Sequence, residues 1–304
     1  MARPRKRAAK PRLLTASLLG RWPLPQPAED DDKEGRGRVL VVGGSREMPG
    51  AVILAATAAL RAGAGKLRIA TTRSVAQLVA AEVPEARVFA LPETKGGDIA
   101  AAAAKTIAAH AERVQAVLVG PGMIDERGVA RLMTSLASRL TGGVVVIDAA
   151  AMFFLARHAD ALGGLDGRAI LTPHAEEMGK LLGADESAIE SEPLLAAGRA
   201  AETFRAVVVL KGRHTLIARP GGEVYSNRTG NVGLATSGSG DVLAGVIAGL
   251  AARGAEPVQA ASWAVYLHGR AGDRLAKRIG KLGFLARELL GEIPPLMNAF
   301  HRHK

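Results

Sequence analysis

The chain of 304 residues contains no cysteine, few aromatic residues and no long apolar run. Without cysteine it cannot form disulfides, use a thiolate in catalysis, or bind zinc or an iron–sulfur cluster through sulfur. No apolar stretch reaches the roughly 18 residues of a membrane-spanning helix, so we expect no membrane partner. Six Phe, two Trp and two Tyr are too few for base-stacking platforms along single-stranded nucleic acid.

Positive charge is concentrated at the amino-terminal end of the chain. The formal net charge is +11 at pH 7, but residues 1–22 contain seven Lys and Arg and no acidic residue. The remainder has 33 basic and 29 acidic residues and is only mildly basic. Because prolines interrupt the basic segment and no nucleic-acid motif accompanies it, we expect no nucleic-acid partner. Salt-dependent binding that survives deletion of residues 1–27 would favour that alternative.

Residues 1–32 are interpreted as a basic, proline-broken tail followed by an acidic linker, and we expect this segment to be disordered. The apolar stretch 13–19 is short and interrupted by Thr15 and Ser17, which disfavours a secretory signal and favours a cytoplasmic protein. We therefore expect deletion of residues 1–27 to leave folding and activity intact.

From residue 33 to 304, apolar strand-like segments alternate with helical ones. Segments such as Arg38–Gly43 and Val144–Asp148 are apolar almost throughout, which is typical of parallel strands buried on both faces. The pattern predicts one three-layer α/β/α domain with a mostly parallel central sheet. A hairpin near 215–226 and helices over 241–253, 257–276 and 283–290 complete it.

Unusual residues follow several predicted strands, at the edge of the sheet where ligands bind in open α/β folds. They are Gly43-Gly44-Ser45, Gly120-Pro121-Gly122, Asp148 and Thr172-Pro173-His174. Each has an ordinary alternative: Asp148 could cap the next helix, and His174 could be a loop histidine with no ligand. No GxGxxG pattern is present, so a nicotinamide-binding Rossmann motif is disfavoured.

The strongest local signal is the glycine-rich segment 236–241, which precedes a predicted helix. Gly238 and Gly240 leave backbone N–H groups free to converge on an anion at the positive end of the helix dipole. Asp241 is then a candidate general base beside a phosphate. Its alternative role is a helix-terminal charge worth under about 1 kcal/mol. No Walker sequence is present, which excludes a P-loop enzyme.

A second basic segment, Lys211-Gly212-Arg213-His214-Thr215, ends one strand and begins the hairpin. It offers a cation, a hydroxyl and a glycine that lets backbone approach a ligand, so we predict contact with nucleotide phosphate. A simple basic turn is the alternative. Thr229-Gly230-Asn231, in the next loop, could hydrogen-bond a nucleotide.

These motifs, taken in order, resemble the ADP/ATP-dependent NAD(P)H-hydrate dehydratases of the ribokinase-like superfamily. The resemblance covers residues 33 to about 290. It rests on the strand-end and glycine-rich motifs above together with Met48-Pro49-Gly50-Ala51, residues 58–65, Ile147-Asp148-Ala149, Gly240-Asp241-Val242-Leu243-Ala244-Gly245 and Tyr266-Leu267-His268-Gly269. The sequence departs from the family at Ala175-Glu176-Glu177-Met178, at Ser237 and at Asp32-Lys33-Glu34.

The resemblance implies repair of hydrated NADH or NADPH: the S-epimer is phosphorylated on its ring hydroxyl by ADP or ATP, and phosphate is eliminated. It implies Asp241 as catalytic base, Ala51, Gly122, His174 and Asp241 as contacts to the hydrated dinucleotide, and Lys211, Gly212, Arg213, His214, Thr215, Gly238 and Gly240 as contacts to ADP or AMP. Mg²⁺ is expected with the nucleotide, without dedicated protein ligands. A small-alcohol kinase of the hydroxyethylthiazole or hydroxymethylpyrimidine type is the alternative.

The resemblance also implies partners. We expect a homo-oligomer, a tetramer by family resemblance, and an epimerase supplied by a separate chain, since 32 residues are too few for the epimerase domain that many bacterial members carry.

Overall fold

The computed structural model describes residues 10–28 and 33–300. Residues 1–9, in the predicted tail, and the acidic residues 29–32 lie outside the described part. Ten strands form a single sheet. They are β1 Arg12–Leu13, β2 Arg38–Val42, β3 Lys66–Thr72, β4 Ala86–Leu91, β5 Ala116–Val119, β6 Val144–Ile147, β7 Ala169–Leu171, β8 Val207–Leu210, β9 Thr215–Ala218 and β10 Val224–Asn227.

Eleven α-helices lie in the described ranges. They are α1 Ala16–Gly20, α2 Pro49–Arg61, α3 Ala76–Glu82, α4 Ala104–Ala111, α5 Glu126–Ala137, α6 Ala175–Leu182, α7 Glu186–Ser191, α8 Pro193–Phe204, α9 Ser239–Ala252, α10 Pro257–Arg278 and α11 Ala286–Ala299. Short 3-10 segments cover Ala101–Ala103, Ala149–Ala156, Ala159–Leu165 and Val232–Leu234. None of the helices described is long and apolar enough to cross a membrane.

The strand order is β1-β10-β9-β8-β7-β6-β5-β2-β3-β4. Strands β2 to β8 run parallel, and β9 and β10 are antiparallel neighbours that form the predicted hairpin. The order reverses between β2 and β5, so loops diverge there and leave a crevice at the carboxyl ends of the strands. The predicted sheet class is confirmed.

Alternate residues of the buried strands face two separate apolar cores. Val39 and Val41 belong to the core under α2, α9, α10 and α11, whereas Leu40 and Val42 belong to the core under α4, α5 and α8. This two-sided burial explains why these strands are apolar throughout. It also confirms the predicted three layers of helix, sheet and helix.

Helix α9 lies unusually close to α2. A Cβ atom added at Gly245 would lie 2.1 Å from the carbonyl oxygen of Ala55, and one at Gly249 would lie 2.4 Å from that of Ala59. Only glycine allows this backbone approach. The contact fixes α9 against α2 and therefore fixes the position of the glycine-rich segment at its amino terminus.

Helix α11 is longer than the sequence predicted. The sequence predicted a helix over 283–290, but the helix runs from Ala286 to Ala299 and contains Pro294 and Pro295. Ile293 and Leu296 are buried in the core on either side of the prolines. Packing of this apolar face offsets the backbone hydrogen bonds that proline removes.

Residues 10–28 correct the expectation of a disordered tail over this range. β1 pairs in parallel with β10, and Leu14, Leu19 and Leu24 are buried in the core. We call residues 10–28 the amino-terminal arm. The sequence interpretation was wrong here because the apolar side chains of a short segment are buried by residues more than 200 positions away.

Hydrogen bonds from α9 and α10 fasten the arm. The indole N–H of Trp263 donates to the carbonyl oxygen of Trp22 at 2.8 Å, and Gln259 Nε2 donates to that of Pro23 at 2.9 Å. The Arg253 guanidinium donates to the carbonyl oxygens of Ala62 and Pro25 at 3.0 and 2.9 Å. If the arm detached, Trp263 and Gln259 would lose these acceptors and Arg253 would lose one of its two.

Substitution of a single arm leucine tests this packing. Leu19 is fully buried, whereas Leu13 is 45% exposed. We expect Leu19→Ala to lower the free energy of unfolding by about 2–5 kcal/mol, as for other buried leucines. Leu13→Ala is the control and should cost less than about 1 kcal/mol. Equal small effects in urea titrations of the two variants would show that the arm contributes little to stability.

Candidate active site

The carboxyl ends of β2, β5 and β6 are joined by direct backbone contacts. The N–H of Gly44 donates to the carbonyl oxygen of Pro121 at 2.7 Å. A Cβ atom at Gly120, whose φ is +132°, would lie 1.9 Å from the carbonyl oxygen of Asp148. Glycine is therefore required where neighbouring strand ends touch. The predicted motifs do meet at one edge of the sheet.

Ala51 and Gly122, both predicted to contact the dinucleotide, are neighbours. Ala51 is buried in the first turn of α2. A Cβ atom at Gly122 would lie 3.0 Å from that of Ala51 and 2.5 Å from the carbonyl oxygen of Met48. Any side chain at position 122 would first displace this backbone. A ligand role for the two residues stays a prediction.

Asp148 directly follows β6 at this edge of the sheet. Its side chain is buried and accepts a hydrogen bond from Thr172 Oγ1 at 2.6 Å. It makes no capping hydrogen bond to the following 3-10 segment. The alternative reading of Asp148 as a helix cap is therefore wrong.

His174 caps helix α6. Its Nδ1 accepts from the N–H of Glu177 at 3.4 Å, and Glu177 Oε2 accepts from the N–H of His174 at 2.8 Å. The imidazole is 46% exposed and so remains accessible from the crevice side of the loop. The capping role is plain, and a contact to the dinucleotide stays a prediction.

The Lys211 ammonium links these elements. Its Nζ lies 3.6 Å from Asp148 Oδ1 and 3.5 Å from Glu177 Oε2. Desolvation opposes its charge, but the two carboxylates outweigh this and raise the pKa of Lys211 above its usual value. Sequence reasoning did not select Glu177. Its position at the third residue of a helix that follows a strand end was the available signal.

Asp241 lies in the first turn of α9, behind Gly238, whose φ is +86°. A Cβ atom at Gly240 would lie 3.7 Å from Lys211 Nζ, so the lysine and the glycine-rich segment are adjacent. Burial, aided by the Asp148 charge and opposed by Lys211, raises the pKa of Asp241 to about 7. Its carboxylate can therefore exchange a proton near neutral pH.

The rest of the predicted nucleotide segment is a turn at the surface. Gly212, Arg213 and His214 are exposed. Thr215 begins β9 and pairs with Asn227 of β10. The turn lies beside Lys211, but the structure brings none of the side chains of Arg213, His214 and Thr215 into the charge network.

The geometry thus combines a glycine-rich helix amino terminus with an adjacent lysine and a carboxylate of raised pKa. A family model described as NAD(P)H-hydrate dehydratase matches residues 39–295. The chain belongs to the NAD(P)H-hydrate dehydratase family. It is 44% identical over 292 residues to the ADP-dependent (S)-NAD(P)H-hydrate dehydratase of Xanthomonas campestris, covering 96% of this chain and 98% of the relative.

Solved structures agree with this family membership. An ADP/ATP-dependent NAD(P)H-hydrate dehydratase from Bacillus subtilis, co-crystallized with ATP and Mg²⁺, is 31% identical, with a TM-score of 0.79 over 96% of this chain and all of that one. A ribokinase-like superfamily protein from Enterococcus faecalis is 27% identical, with a TM-score of 0.82 over 95% and 96%. The predicted ribokinase-like fold is confirmed. Bifunctional NAD(P)H-hydrate repair enzymes also match, and the chain spans about half their length.

The raised pKa of Asp241 predicts a stability cost in this NAD(P)H-hydrate dehydratase family member. Between pH 3.8 and about 7 the folded chain retains a proton that the unfolded chain has lost. The stability contributed by protonation therefore falls as pH rises through this range. Asp241→Asn never ionises, so we expect its Tm to match wild type near pH 4 and to exceed it at pH 8.

Thermal unfolding of wild type and Asp241→Asn over this pH range checks the prediction. The exposed residue Asp160, changed to Asn, serves as control and should show no such divergence. A Tm gain that is the same at every pH would contradict the assigned pKa.

Proposed function

We propose that this chain is an NAD(P)H-hydrate dehydratase that restores NADH or NADPH from the S-epimer of its hydrate, coupled to hydrolysis of ADP or ATP. The observation that carries the proposal is Asp241, with a pKa of about 7, in the first helical turn behind a glycine-rich anion site. Its family match and its likeness to named dehydratases favour this reaction over a small-alcohol kinase.

In the proposed reaction, the ring hydroxyl of the hydrate attacks the terminal phosphoryl group of the nucleotide. The Asp241 carboxylate accepts the hydroxyl proton as the new O–P bond forms. The bond to the leaving AMP or ADP breaks. The ring C–O bond then breaks with departure of phosphate, a proton leaves the neighbouring carbon, and the ring double bond returns. Phosphate leaves far more readily than hydroxide, which explains the need for a nucleotide.

Backbone and lysine would stabilise the transferring group. The first N–H groups of a helix have no intrahelical partners, and the glycine-rich segment at the start of α9 lies beside the Lys211 ammonium, 3.7 Å from a Cβ atom built at Gly240. Fixed donors of this kind stabilise charge that develops on a phosphoryl group. Lys211 is already paired with two carboxylates, so it adds positive charge without an isolated buried cation.

Mg²⁺ is the metal expected with the nucleotide. Within residues 10–28 and 33–300, no group of three or more His, Asp or Glu side chains could hold a metal ion. Asp148 and Glu177 are the carboxylates nearest to Lys211, and both are engaged by it. We therefore propose that Mg²⁺ enters bound to the phosphates and neutralises their charge.

Several finer assignments belong to the same proposal. We propose ADP as the phosphoryl donor. A homo-oligomer, tetrameric by family resemblance, a cytoplasmic location and a separate epimerase chain are also proposed. Measurement of the molecular mass of the purified protein in solution tests the proposed homo-oligomer.

Recovery of reduced nicotinamide tests the function. We expect hydrated NADH with ADP or ATP and Mg²⁺ to regain absorbance at the reduced-nicotinamide band. Asp241→Asn should bind nucleotide but lose about 10²–10⁴-fold in kcat, because its amide cannot accept the proton. Phosphorylation of hydroxyethylthiazole without hydrate turnover would support the kinase alternative. More than about a tenth of wild-type kcat in Asp241→Asn would exclude the base role.

We expect Lys211 to contact the nucleotide and His174 to contact the hydrated dinucleotide, so substitutions at the two positions should have separate effects. Lys211→Ala should raise KM for ADP or ATP more than for the hydrate, since Lys211 borders the glycine-rich segment. His174→Ala should raise KM for the hydrate more. Both side chains contact Glu177, so Glu177→Gln is the control for indirect effects. If His174→Ala weakened only the nucleotide, the assignment would be inverted.

A further inference from the structure

A buried histidine touches the glycine-rich segment but has no part in the proposed reaction. His268, on α10, is 8% exposed. Its Nε2 lies 3.0 Å from Ser239 Oγ and 3.1 Å from the carbonyl oxygen of Ser239. Ser239 is the first residue of α9 and stands between Gly238 and Gly240. His268 is thus joined directly to the anion site.

The chemistry of this contact is that of a neutral imidazole. Burial, against a small opposing effect of the Ser239 backbone, lowers the pKa of His268 to about 4. A carbonyl oxygen can only accept, so Nε2 carries the hydrogen and donates to Ser239. The histidine therefore neither supplies charge nor moves a proton near neutral pH. It holds the backbone of Ser239 in place.

Helix α10 also holds the other end of this loop. Asp273 Oδ2 accepts from the N–H of Gly230 at 3.2 Å, and its Oδ1 accepts from Asn231 Nδ2 at 3.3 Å. Residues 268 and 273 lie about 1.4 turns, or about 7.5 Å, apart along the helix. One stretch of α10 is therefore bonded to both ends of the segment from Gly230 to Ser239.

At two positions the loop packs against α10 where the helix itself has no side chain. A Cβ atom at Gly269 would lie 2.2 Å from Thr229 Oγ1, and one at Gly272 would lie 2.6 Å from Leu234 Cγ. Glycine at both positions lets the loop lie directly on the helix. The hydrogen bonds of His268 thus act on a segment that has little room to move.

We propose that His268 is a positioning residue, which sets the direction of the backbone N–H groups of Gly238 to Asp241 through its hydrogen bonds to Ser239. This inference rests on the proposed function. Fixed donors lose their effect when displaced by about 1 Å, with losses of up to about 10²-fold in rate. Removal of the imidazole should therefore affect turnover more than overall folding.

The test compares His268→Leu with His268→Gln. Leucine removes the donor, whereas the Gln side-chain amide can reach the carbonyl oxygen of Ser239. We expect kcat to fall by about 10- to 100-fold in His268→Leu and to return to within about threefold of wild type in His268→Gln. Ser262→Ala on the same helix is the control, since Ser262 Oγ is buried without a hydrogen-bond partner. It should leave kcat unchanged.

Two further measurements separate positioning from structure. Calorimetric titration with ADP should show a raised Kd in His268→Leu and near-normal affinity in His268→Gln, at similar Tm for the two variants. Equal loss of kcat in both variants, or wild-type kcat in His268→Leu, would overturn the proposal. If His268→Leu does not fold, His268→Asn, whose shorter amide cannot reach Ser239, takes its place.

The ADP titration also separates failure of the positioning role of His268 from failure of the proposed function. If wild type fails to turn over hydrate, the proposed function fails. The effect of His268 on ADP affinity would still support or overturn its positioning role.

Discussion

The start of helix α9 is the constraint on which the site depends. Backbone contact with α2 through Gly245 and Gly249 fixes the helix from one side. Hydrogen bonds from α10 to Ser239 fix its first turn from another. The helix is central and almost entirely buried, so its N–H groups and Asp241 have one orientation relative to the strand ends. The proposed phosphate site is made of backbone, which has no side chain to readjust, so its precision would come from such packing.

Charge in the crevice is balanced by a small number of groups. Lys211 lies between Asp148 and Glu177, and its charge opposes burial and the Asp148 carboxylate, which both raise the pKa of Asp241. If Asp241 were more buried, or had no neighbouring cation, its pKa would be higher and it would remain protonated at neutral pH. If a cation fully offset the effect of burial, its pKa would be low and its carboxylate would be a weak base. The observed arrangement places proton affinity near neutrality, where a general base is most effective.

The sequence was sufficient for features set by local pattern and insufficient for those set by distant contacts. Apolar valine-rich runs specify parallel strands, because this pattern depends on neighbours along the chain. The glycines before Asp241 are a local signal of the same kind, and the anion site that they predict stays a prediction. The amino-terminal arm is held by hydrogen bonds from Arg253, Gln259 and Trp263, far along the chain. Continuation of α11 past Pro294 depends on core packing. Glu177 becomes important only when β8 brings Lys211 beside it.

The amino-terminal arm covers the edge strand β10 of the sheet. β10 would otherwise be an outer strand with unpaired backbone groups, and β1 covers it with only two residues. Exposed strand edges pair readily with other chains. Arg12, which reaches Glu223 at 2.9 Å, adds charge at this position. The arm therefore protects the edge of β10 from pairing with strands of other chains. We expect its detachment to promote aggregation even while the rest of the sheet stays folded.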